Sequence, residues 1–184
     1  MITVPAPLQR ALRLTLLLWL LTALALTLPL LGLAGLVAPE AAAGSLVRRG
    51  GAVVGSRLLG QSFHSPRHLW GRPSGDPHLA ATSAALPQQV AATASAWRAA
   101  GLGRPSPDLL LASASGVDPH IRLAAARQQW PRLAREHGLS LDQLEALARR
   151  HLEGPGDLRA VEPLVNVLGF NLALEAPRTS PPRP

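Results

Sequence analysis

Cysteine is absent from this 184-residue chain, which excludes a disulfide framework and any thiolate metal site. Lysine is absent too: all 18 basic residues are arginine. A G-x-x-x-x-G-K-[ST] loop therefore cannot occur, and with it goes a common way of cradling nucleotide phosphates. Tyrosine is missing and there are only two Phe, so the chain is poor in the aromatic platforms on which a nucleic-acid binder stacks bases. The arginines are scattered rather than grouped with aromatics. With abundant Ala, Leu, Gly and Pro, the net charge of +7 reads as compositional bias rather than a phosphate-binding surface.

Charge is also missing from one long stretch. Leu14 to Val37 is 24 uncharged residues, thirteen of them Leu. As a helix rising about 1.5 Å per residue it reaches roughly 36 Å, enough to cross a hydrocarbon core of about 30 Å with some tilt. A secretory signal peptide has an apolar core of roughly 7–15 residues, shorter than this run. Ala41-Ala42-Ala43 before Gly44 nonetheless has the small-residue look of a cleavage site. Pro29, Gly32 and Gly35 are tolerated in membrane helices. Arg10 and Arg13 precede the run while Glu40, Arg48 and Arg49 follow it, so the charge asymmetry is nearly balanced. Long following domains translocate largely regardless of charge. The expected topology is therefore a single-pass membrane anchor, N-terminus cytoplasmic, with the body outside.

The expected organisation is a flank over 1–13, a transmembrane helix over 14–37, a juxtamembrane linker over 38–44, a soluble domain over 45–174 and a disordered tail over 175–184. The fold class is α+β: one N-terminal transmembrane helix followed by a small extracytoplasmic α+β domain. Within the body, Pro87 suits the first turn of a helix running to Ala100, stopped by Gly101. Leu109 to Ala112 reads as a short buried strand. Asp118-Pro119 has the order of a helix N-cap and first-turn proline, predicting a helix to Glu136 that ends at Gly138 and is kinked or split by Pro131. Ser140 with Gln143 three residues on is a capping-box pattern, opening a helix that stops near Gly154. Val165 to Leu174 reads as a strand. Pro177 to Pro184 holds four prolines and reads as disordered.

The segment Ala112-Ser113-Ala114-Ser115-Gly116-Val117-Asp118-Pro119-His120 carries the most chemistry. A small-residue turn before a helix N-terminus offers free N–H groups to an anion, with Ser113 and Ser115 as added donors. The plainer reading has Asp118 satisfying those amides itself. A hydrolase using Ser113 or Ser115 with His120 lacks the G-x-S-x-G elbow. His64 and His68, four apart, could face a metal together, but Pro66 between them breaks the helix this needs.

Several segments together resemble the C subunit of the bacterial Kdp potassium-transporting ATPase. They are Gly55-Ser56, Leu59-Gly60-Gln61 and Phe63, then Trp70 to Ser74, Asp108-Leu109-Leu110, and Ala112 to Ile121. Gln129 and Arg132 match a Gln-x-x-Arg step of that family, and Glu162 to Leu168 with Asn171 to Leu174 its C-terminal signature. Between Gly75 and Pro87 this chain has Ala-rich sequence where the family has a Gly/Ser/Asn-rich loop. The resemblance implies a non-catalytic subunit, consistent with the missing Asp-Lys-Thr-Gly-Thr phosphorylation motif. It also implies that the membrane is the bacterial plasma (inner) membrane. Its implied partners are a channel-like potassium-translocating subunit, the P-type ATPase catalytic subunit and a small single-span subunit. Its implied role is to stabilise assembly and act as a catalytic chaperone that raises the ATPase subunit's ATP affinity. No cofactor of its own is expected, ATP entering through the complex. Ser113, Ser115, Gly116, Gln129 and Arg132 are then the nucleotide or coupling candidates, and Asp118 the structural cap. The rival reading is a membrane-anchored extracytoplasmic enzyme or ligand-binding module built on the Ser113–His120 turn.

Overall fold

The computed structural model describes residues 5–153 and 162–176. The chain divides after Leu46 into two compact units. The first is dominated by α1 (Ala6–Val37), a 32-residue helix with no buried residue. Its apolarity and length make it a candidate membrane span. It begins eight residues before the uncharged run, so Arg10 and Arg13 sit in its opening turns. A single-turn helix, α2 (Pro39–Ala42), occupies the expected linker.

Spanning the boundary and opening the second unit is a hairpin of β1 (Leu46–Arg49) and β2 (Ala52–Ser56), the two strands forming a sheet of their own. Gly50 and Gly51 at its tip both have positive φ, the requirement of a tight hairpin turn. An irregular segment over residues 57–84 leads to α3 (Ala85–Ala99), which has Pro87 in its first turn and Gly101 at φ +86° just beyond its end. Then come α4 (Pro107–Leu110), β3 (His120–Arg122), α5 (Leu123–Arg127), α6 (Trp130–His137), α7 (Leu141–Arg149), β4 (Leu152–Glu153), β5 (Leu164–Asn166) and α8 (Val167–Leu174). Three strands form an antiparallel sheet in the order β3-β5-β4, with Ile121 opposite Val165 and Leu152 opposite Val165 on the other side. Leu69, Leu109, Ile121, Leu133, Leu144, Val165 and Phe170 are fully buried and make the centre of one core.

Local signals worked where the determinant is local. Gly138 stops α6 in the left-handed conformation at φ +61°. Ser140 and Gln143 form both bonds of the capping box that starts α7. Pro131, in the first turn of α6, splits the helical stretch into α5 and α6.

Four expectations are corrected. Leu109 to Ala112 is not a strand: Pro107 fixes the first turn of α4, which puts Asp108 and Leu109 inside. Asp118 is not a helix N-cap, because β3 follows it and the helix starts only at Leu123. Its Oδ1 accepts the His120 N–H two residues on, at 3.0 Å, which is a turn bond. The strand expected over Val165 to Leu174 lasts only to Asn166, whose side chain caps α8 through the Gly169 N–H. Val167, Phe170, Asn171 and Leu174 are buried at a helical i, i+3, i+4, i+7 spacing. Glu175, placed in the tail, instead closes α8 and pairs with Arg49 at 2.6 Å and His68 at 2.5 Å. The disorder expected over 177–184 lies outside the described residues.

Candidate functional site

The irregular chain at Leu69 runs through the core, where backbone groups need partners within the protein, and Trp70 beside it is half-buried. Two side-chain amides meet that need. Asn171 on α8 accepts the Leu69 N–H through Oδ1 at 2.7 Å and donates Nδ2–H to the Leu69 carbonyl at 2.9 Å. Gln129, just before α6, does the same for Trp70, accepting its N–H at 2.9 Å and donating to its carbonyl at 2.9 Å. Each amide supplies one donor and one acceptor, as a neighbouring strand would.

Arg132 completes the clamp. Its guanidinium donates to the Pro66 carbonyl and, at 2.8 Å, to Gln129 Oε1, and lies 4.7 Å from the Trp70 ring centre. Burial lowers the Arg132 pKa to about 10, which leaves it charged near neutrality. Of the coupling candidates, Gln129 and Arg132 are thus buried and bonded to their own chain, at 2 % and 7 % exposure.

A second centre lies beyond Gly71. Arg72 pairs with the buried Asp108 at 3.0 Å, and its Nε stands 3.7 Å from Asp118. Asp108 also accepts the Arg122 N–H at 2.9 Å, tying α4 to β3. His120 is bracketed by carboxylates, with Nδ1 3.1 Å from Asp118 and Nε2 2.8 Å from Glu153 on β4. Arg72 and Asp108 carried no predicted role; their presence in the Trp70–Ser74 and Asp108–Leu110 segments was the available signal.

Ser113, Ser115 and Gly116 border this centre as a turn. Ser113 Oγ accepts the Asp118 N–H at 3.2 Å, and Ser115 Oγ the Val117 N–H at 3.3 Å. Gly116 takes φ +73°. Gly60 approaches so closely, its N–H 2.6 Å from the Val117 carbonyl, that an added Cβ would lie 2.6 Å from the Asp118 carbonyl oxygen. The crevice left between them is about 30 Å³, against roughly 300–1,000 Å³ for a small-molecule pocket. Among the described residues no hydrogen bond joins either serine to His120, and no group of three His, Cys, Asp or Glu could hold a metal. His68 is committed to Glu175 and packs its ring edge-on to Phe63.

Two predictions follow from this geometry. Asn171→Ala orphans the Leu69 N–H and carbonyl, each costing about 1–3 kcal/mol. Denaturant unfolding of the full chain in detergent should show that loss, well above the effect of Ser115→Ala; equal effects in the two variants would overturn the clamp. The second concerns pH. Burial pushes the His151 imidazole below its usual range, with Glu153 opposing and Arg150 reinforcing. The fold thus favours the neutral ring, while the unfolded chain takes up a proton near its ordinary value of about 6.5. Stability should decline as pH falls through about 6.5 towards the lowered folded value, and His151→Gln should flatten that part of the profile. Further down, Glu145, held low by Arg127, and Glu175, held low by His68 and then Arg49, contribute stability above about pH 4.3 that is lost as they protonate. Thermal midpoints measured across this range separate the two regimes.

Comparison with known proteins accounts for the motifs that converge here. The family described as KdpC, the c chain of the K+-transporting ATPase, matches residues 8–176. The potassium-transporting ATPase KdpC subunit of Variovorax paradoxus (strain S110) is 44% identical over 171 residues, 85% of this chain and 89% of that one. Its counterpart in Methylibium petroleiphilum is 42% identical over 186 residues, 93% and 97% of the two chains. That of Sorangium cellulosum (strain So ce56) is 43% identical over 188 residues, covering 94% and 99%. With motifs, core and family match all running along the same length, this chain belongs to the KdpC family of potassium-transporting ATPase subunits.

Proposed function

We propose that this chain is a non-catalytic subunit of an ATP-driven potassium uptake complex, anchored by α1, that stabilises assembly and raises the ATP affinity of the P-type ATPase subunit. The observation that carries this reading is the clamp. The polar side chains most suited to chemistry are spent on holding their own backbone: Gln129 on Trp70, Arg132 on Pro66, Ser113 on Asp118. Such residues make a scaffold that presents a shaped surface. The partners are the channel-like, catalytic and small single-span subunits implied by the family.

The body is proposed to lie outside the cytoplasm. A large domain following a long apolar helix translocates largely regardless of charge, which favours that orientation. An extracytoplasmic body does not meet cytoplasmic ATP, so the effect on ATP affinity passes through contacts with partner subunits. A periplasm-dependent reporter fused after Leu174 should be active, and a cytoplasm-dependent one silent; the reverse pattern refutes the orientation.

Coupling is tested on assembled complexes of verified stoichiometry carrying Gln129→Ala. Releasing Trp70 from its clamp should raise the ATP concentration for half-maximal potassium-stimulated hydrolysis several-fold, with the rate at saturating ATP kept. An unchanged ATP dependence in a fully assembled variant would sink the coupling role of this clamp.

A further inference from the structure

We propose that the outward face of the β1-β2 hairpin is a lipid-binding surface that rests on the anionic headgroups of the bilayer crossed by α1. This rests on the reading of α1 as a membrane anchor. A two-stranded hairpin is marginally stable in water unless something covers it, and this one forms a sheet separate from β3-β5-β4. One side of it is tied to the body: Arg49 bonds Glu175, and the Val54 carbonyl accepts from the Gln61 amide. Val47 and Val54 are half-buried, whereas Leu46 and Val53 are 46% and 49% exposed. Leu58 and Leu59, directly after the hairpin, are exposed as well.

Charge identifies the occupant. From Ala41 to Gly75 the chain holds five arginines and no Asp or Glu. Arg48 is exposed on the hairpin, its guanidinium donating to the Gly51 carbonyl at 3.4 Å, and Arg57 is exposed just beyond β2, with Ala52, Val53 and Val54 between them in sequence. Apolar groups that enter the acyl boundary, flanked by cations that pair with headgroups, are the composition of an interfacial element. The covalent chain adds proximity, because only residues 38–45 separate α1 from β1. Eight residues extend at most about 29 Å.

The absence of cysteine makes the test clean. Full-length chain with Val53→Cys, carrying an environment-sensitive fluorophore, is reconstituted in nanodiscs of phosphatidylcholine alone or mixed with phosphatidylglycerol. The expected result is a blue-shifted emission quenched by lipid-borne nitroxide, stronger with phosphatidylglycerol. The same label at Ala91→Cys, on the exposed side of α3, should stay unshifted. Arg48→Gln with Arg57→Gln should abolish the gain from phosphatidylglycerol. A Val53 probe that remains aqueous in both lipids, on a chain that stays with the nanodisc, overturns the proposal and leaves the anchor standing. A chain that fails to enter nanodiscs overturns the anchor and this surface with it. Repeated in the assembled complex, shielding of the probe from both water and lipid-borne quencher would make the face a subunit contact and overturn the lipid assignment.

Discussion

The body is organised around a short length of irregular backbone that the core must contain. Leu69 is fully buried and Trp70 half-buried, in a conformation that no strand pairs. Their four hydrogen-bonding groups are met by Asn171 and Gln129, each supplying a donor and an acceptor. Because those amides come from α8 and from the entry to α6, the segment fixes both helices to itself. Trp70 then packs at a tilt against Trp97 on α3, with ring centres 4.8 Å apart, and Trp97 donates its indole N–H to the Leu109 carbonyl. One loop thereby sets the positions of α3, α4, α6 and α8.

The charged centre beside it extends the same logic to the sheet. Asp108, buried on α4, holds Arg72 on one side and the β3 backbone at Arg122 on the other. Burying a carboxylate is costly unless its oxygens are paired and hydrogen-bonded, and here both oxygens have partners. His120 carries the connection across to Glu153 on β4. The polar and charged residues of this centre are therefore engaged in holding the structure together.

That surface divides by chemistry. The stretch following α1 is cationic and partly apolar, while every acidic residue other than Glu40 lies from Asp76 onward. The asymmetry separates a hairpin suited to headgroups from a body held by internal ion pairs such as Arg127 with Glu145.

Some of this was legible in the residues alone. A 24-residue uncharged run is a membrane-length helix whatever surrounds it, because its length and composition state the energetics without reference to any other part of the chain. The stop at Gly138, the box at Ser140 and Gln143, and the break at Pro131 are decided within a few residues, by a left-handed φ, two reciprocal hydrogen bonds and a missing N–H. The family motifs were legible too, as a set of segments in order. The tertiary structure alone decided that Asp118 leads into a strand, because β3 exists only by pairing with the distant β5. It alone decided that Leu109 turns inward on a helix and that Val167 leaves the sheet. And it made Gln129, Arg132 and Asn171 interior residues. Their partners lie 59, 66 and 102 positions away, and no local pattern records which buried backbone group will need a side-chain amide.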